Sequence, residues 1–147
     1  MLLEITATLA AGLFAGAAIY IDLAEQPARN RIDIATALSE WRPSYKRAAV
    51  VQPILAAVGF LSAIAAWLMG GSIWWLVGGV LLVAVIPYTL IIVFPTNNKL
   101  LDPAIGDKNP DLARRLLVRW GRLHTVRSAM SLAAFWPSCC CCKEWIG

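Results

Sequence analysis

The sequence predicts an all-α protein, a four-helix transmembrane bundle in up-down-up-down order. Three observations lead there. From Ala48 to Asn98, 51 consecutive residues carry no Asp, Glu, Lys or Arg. The 147-residue chain is 59% hydrophobic and only 15% charged, where ordinary soluble domains run at about 45–50% apolar and about 25% charged. The long apolar runs lack the period-two alternation of a membrane β-barrel.

The first span is expected at about residues 5–24. Ile5–Ile21 is a 17-residue uncharged run between Glu4 and Asp22. A cleaved signal peptide would want basic residues ahead of its apolar stretch, and Met1–Glu4 has none. The run is therefore read as a retained helix, and Gly12 with Gly16 allows close helix approach in lipid. The 51-residue run holds two spans, at about 46–69 and 73–94, because one crossing takes roughly 20 residues. Gly70-Gly71-Ser72 supplies the turn between them. Pro95 is expected to end the third span, leaving Thr96 and Asn97 as caps or inward hydrogen-bonding groups. The fourth span is placed at about 120–142.

The loops at about 25–45 and 95–119 are the longer ones. Pro27 is expected to interrupt the helix after span one, separating Glu25 from Arg29. Ile34, Leu38 and Trp41 recur at helical spacing and predict a short helix lying on the membrane surface, broken at Arg42-Pro43. Asn109-Pro110-Asp111 is a helix start, with Asn as cap and Pro at the first position. That helix should run through Leu112, Leu116 and Trp120 into span four. With no soluble domain, the chain is one membrane domain.

The formal charge of +4 does not indicate nucleic acid. Eleven of the thirteen Lys and Arg lie between Arg29 and Arg122, within the two longer loops or within three residues of their ends. Those loops emerge on one side of a four-span protein, and the positive-inside rule makes that side cytoplasmic. The basic residues are read as topology determinants and contacts to membrane lipids.

Candidate chemistry gathers at the cytoplasmic edge. Trp120, His124, Arg127 and Ser131 are spaced four, three and four, and so share a helix face. His124 is the only histidine. Ionisable groups in a span usually face a bundle interior or a watery pocket. Arg119 and Arg122 read as headgroup residues. Asp22, Glu25 and Arg29 close span one, Tyr88 and Asn97 lie near the end of span three, and Gln52 stands at similar depth in span two. No metal site is expected. One histidine cannot build a multi-His centre and supplies only one haem ligand. Four consecutive cysteines on a helix, Cys139–Cys142, cannot converge on one zinc. Phosphate-loop and nucleophile-elbow motifs are absent. Pro137 is expected to interrupt span four.

An ordered set of short pieces carries a resemblance. They are Gly12-Leu13-Phe14-Ala15-Gly16, Gln26-Pro27-Ala28-Arg29, Trp41-Arg42-Pro43-Ser44-Tyr45 with Arg47 and Gln52, Pro87-Tyr88-Thr89, Pro95-Thr96-Asn97 with Leu100, and Trp120-Gly121-Arg122-Leu123-His124 with Arg127. Together they resemble the anthrone-oxygenase-like family of integral membrane proteins from residue 12 to about 135. The departure is at the end, where Trp136-Pro137 and the cysteines replace a smooth apolar segment. The resemblance implies a four-helix membrane bundle. It also implies, for some fungal members, similarity to enzymes that oxidise anthrones to anthraquinones without flavin or metal.

The residues suit such chemistry. The expected partners are an apolar polycyclic phenol and O2, with no cofactor. His124 would be the base, because imidazole titrates closest to neutral pH. Arg127 or Arg29 would stabilise the enolate oxygen, Asn97 would donate to it, and Trp120 and Tyr88 would flank the flat ring. The alternative is a non-catalytic small-molecule- or lipid-binding or structural membrane protein in which His124 and Arg127 tie helices together. A cavity beside His124 separates the two readings.

Overall fold

Four long helices dominate the computed structural model, which describes residues 1–141, with side chains up to residue 137. They are α1 (Leu2–Arg31), α2 (Ile34–Leu68), α3 (Ile73–Leu101) and α5 (Pro110–Cys141), with a one-turn helix α4 (Ile105–Lys108) before the last. No strand occurs among the described residues. α1, α2 and α3 are each long and apolar enough to cross a membrane. Their outward faces are apolar as well, with Leu9, Leu13, Val58, Leu61 and Ile91 all exposed. A helix that is apolar all round belongs in lipid or a core.

Sequential neighbours pack antiparallel and the ring closes between α5 and α1. Arg29 reaches Glu40, Gly79 abuts Ala63, Tyr88 bonds Leu123, and Asp22 bonds His124 while Gly12 faces Phe135. This is an all-α bundle of up-down-up-down order. Small side chains set the helix spacing: Ala7, Ala10, Ala11, Ala15 and Ala18 of α1 are all buried. Gly59 marks the closest approach. A Cβ there would stand 2.6 Å from Leu82 Cδ2 and 3.3 Å from Ala10 Cβ. Gly59→Leu should therefore cost about 1–3 kcal/mol by overpacking, read as a lower unfolding temperature in detergent against an outward-facing control such as Val58→Leu.

Local signals explain the ends. Gly70 turns the α2–α3 hairpin at φ +93, a conformation open to glycine, and Ser72 caps α3 through the Trp74 N–H. Asp33 caps α2 through Thr36 N–H at 2.9 Å. Asn109 accepts from Leu112 N–H at 3.1 Å, with Pro110 opening α5.

Several expected breaks do not occur. Arg42-Pro43 does not divide α2, which is one 35-residue helix. Pro27 does not stop α1, Pro95 does not end α3, and Pro137 lies inside α5. A proline in a helix frees the carbonyl four residues back. Pro27, Pro43, Pro53, Pro87 and Pro95 all sit on outward faces, so their freed carbonyls lie away from the core. Two of them follow a π-helical segment, Ile21–Glu25 before Pro27 and Thr89–Val93 before Pro95. A π turn shifts the bonding register and absorbs the missing donor.

The expected surface helix is also revised. Leu38 and Trp41 are buried against Leu100, Ile105, Leu117 and Trp120. Their spacing describes a helix face, and that face is covered by α3, α4 and α5 rather than by lipid. Arg42 fastens this end, donating to Leu100 O at 3.1 Å and Asp102 O at 2.7 Å. The cysteine run lies beyond the described side chains.

Candidate active site

The π segment of α1 ends immediately before a turn that buries Gln26 and Arg29. That register turns Asp22 toward α5. Asp22 Oδ1 stands 3.0 Å from His124 Nδ1. His124 is 1% exposed. With a carboxylate on one side, Nδ1 carries the proton and donates it, a tautomer assigned from the partner. Nε2 is then the free base, and it has no hydrogen-bond partner among the described residues.

His124 lines a cavity of about 220 Å³ to which all four long helices contribute. α1 contributes Phe14, Ile21 and Arg29; α2 contributes Trp41, Ser44, Tyr45 and Gln52. Val85, Ile86, Thr89, Leu90 and Phe94 come from α3, and Trp120, His124 and Arg127 from α5. One wall is a chain of aromatic rings. Tyr45 stacks on Trp41 at 5.0 Å, Trp41 meets Trp120 edge-on at 5.5 Å, and Trp120 stacks on His124 at 4.9 Å. These are favourable aromatic geometries. They fix the imidazole plane and provide an aromatic surface beside it.

Three of the residues lining this cavity share one property. Arg29 Nη1, Trp41 Nε1 and Arg127 Nε are buried N–H donors without acceptors. A buried donor left unpaired costs about 1–3 kcal/mol, so each of the three is ready to take an acceptor that reaches it. Arg127 is held by Gln52 Oε1 and lies over the Phe14 ring at 5.3 Å. Among the described residues no carboxylate is within ion-pair distance of it. A cation in that position favours negative charge developing in the cavity. Arg29 is different. It pairs with Glu25 and Glu40, contacts Ser44 Oγ at 3.3 Å, and sits 5.9 Å from the Trp120 ring.

The structure brings four of the residues proposed from sequence to this cavity: His124, Arg127, Arg29 and Trp120. Three others stand outside its lining. Asn97 is buried with both amide atoms unpartnered. Tyr88 spends its hydroxyl on Leu123 O at 3.0 Å. Glu25 pairs with Arg29 at 2.5 Å, because the helix continues through Pro27. Asp22, Trp41 and Gln52 gain roles that spacing does not announce. Asp22 had a signal, a carboxylate at the same predicted depth as the only histidine. It also borders a second cleft with Gln26, Asn30, Arg122 and Thr125. No group of three or more His, Cys, Asp or Glu able to hold a metal occurs among the described residues.

Comparison with known proteins adds a family. A family model described as anthrone oxygenase matches residues 41–136. The chain is similar to Anthrone oxygenase tpcL of Aspergillus fumigatus, 39% identical over 61 residues. That match covers 39% of this chain and 37% of the relative, so the chain matches well under half of the relative's length. No solved structure matches.

Proposed function

This chain belongs to the anthrone oxygenase family, and from that premise we propose that it is a membrane-embedded oxygenase. It would oxidise an anthrone-type polycyclic phenol with O2, drawing on no cofactor. The observation that carries this reading is the shared cavity. It joins a free imidazole nitrogen, an aromatic wall and three residues with unpaired buried donors. A structural role for His124 and Arg127 would instead call for a closed core with no cavity beside them.

The chemistry follows from the inventory. An anthrone carries a CH2 opposite a ketone, both flanked by aromatic rings. His124 Nε2 takes one CH2 proton, and the electron pair moves through the ring to the ketone oxygen. Arg127, with Trp41 N–H and the free Arg29 N–H, stabilises that enolate oxygen in a water-poor site. The imidazolium formed is stabilised by Asp22, which holds its Nδ1–H. The enolate passes one electron to O2, and the radical pair joins to form a C–O bond. Protonation by the imidazolium gives a hydroperoxide. Loss of the second C–H proton with O–O cleavage gives the new ketone and water. One O2 is consumed, one oxygen atom enters the product and the other leaves as water.

The reading further places the bundle in a membrane with α5 as the fourth crossing and both longer loops cytoplasmic. Purified protein in lipid nanodiscs, given an anthrone and air, should form quinone above the spontaneous rate with one O2 consumed per quinone. Quinone formation no faster than in empty nanodiscs would sink the proposal.

A further inference from the structure

We propose that the aromatic ligand reaches this cavity sideways from the membrane hydrocarbon, through a portal between α2 and α3 framed by Ala49, Pro53, Leu90 and Phe94. The inference rests on reading the cavity as the substrate site. All four residues line the cavity, yet all four are exposed on the outer surface, Leu90 by 58% and Phe94 by 41%. Residues that do both mark an opening. Every one of them is apolar. Arg29, Gln52 and His124, three of the cavity's polar residues, are buried behind them.

The helices explain where the opening lies. Near the hairpin α2 and α3 pack closely, with Gly79 against Ala63 and Phe60. Val85 and Ala56 still share a core cluster. Beyond them α3 enters its π segment, Thr89–Val93, where Leu90, Ile91 and Ile92 all point outward. The widened turn forms one jamb of the portal.

Depth favours a ligand drawn from lipid. Arg47 is the last charge before the uncharged run, and Ala49 and Pro53 follow by two and six residues. At a helical rise of ~1.5 Å per residue they lie roughly 3–9 Å inside it. Flat aromatic molecules with polar edges concentrate near that boundary. The route from the aqueous end is obstructed. Arg29 is 3% exposed and is tied to Glu25, Glu40 and Ser44, so this network stands between the cavity and the exposed Glu40.

The test follows association of anthraquinone with the nanodisc-embedded protein, read by quenching of tryptophan fluorescence, since Trp41 and Trp120 line the cavity. Ala49→Phe should slow association by about tenfold or more, while Leu61→Phe, on the same helix and equally outward, should leave it unchanged. Unchanged association in Ala49→Phe, or an equal slowing in Leu61→Phe, overturns the portal and leaves the site reading standing. No binding to the unaltered protein overturns both.

Discussion

His124→Ala should lower quinone formation by about 10²–10⁴-fold, the usual contribution of a positioned general base. The residue is 1% exposed, stacked on Trp120 and bonded to Asp22, so its ring has one orientation. Removing it deletes the only imidazole in the chain. Arg127, Trp41 and Arg29 remain, so affinity for anthraquinone should change little. The substitution also leaves a void shaped for an imidazole beside the cavity. Added imidazole should restore part of the rate, an outcome that a merely structural histidine would not produce. Loss of binding in parallel with turnover, without rescue, would assign His124 to packing.

Asp22→Asn should lower kcat by about 10²–10⁴-fold, by analogy with the orienting aspartate of hydrolase triads. The carboxylate only accepts, and so holds the proton on Nδ1 and leaves Nε2 free. An amide can donate to Nδ1 instead, which stabilises the tautomer with Nε2 already protonated. It also removes the charge that stabilises the imidazolium. Asp22 is not among the residues lining the cavity, so the loss should fall on kcat while anthraquinone affinity holds. Asp22→Glu, which keeps the charge, should recover part of the rate. An equal loss in kcat and affinity would contradict a positioning role.

The parts of this molecule that could be read from sequence are those governed by neighbours in the chain. Uncharged runs mark the apolar helices, Gly70 and Ser72 mark the hairpin, and Asn109-Pro110 marks the start of α5. The four-then-three spacing that groups Trp120, His124 and Arg127 is also local, and these three do line one cavity. Prolines misled for a physical reason. The π turns before Pro27 and Pro95 shift the bonding register there, and the rings lie on the outward face, clear of neighbouring helices. The spacing of Leu38 and Trp41 defines a buried face without saying what buries it. The pairings that make the site chemical are remote: Asp22 with His124 across 102 residues and Gln52 with Arg127 across 75. No short-range pattern encodes them.

The central claim is that this cavity ionises its ligand with its own base and stabilises the oxyanion before oxygen arrives. The direct measurement is anaerobic. Protein in nanodiscs is mixed with an anthrone in the absence of O2, and the absorbance of the enolate is followed. The expected result is stoichiometric enolate on the unaltered protein, little on His124→Ala, and conversion to quinone when O2 is admitted. Aerobic quinone formation with no anaerobic enolate, or undiminished enolate on His124→Ala, would contradict it.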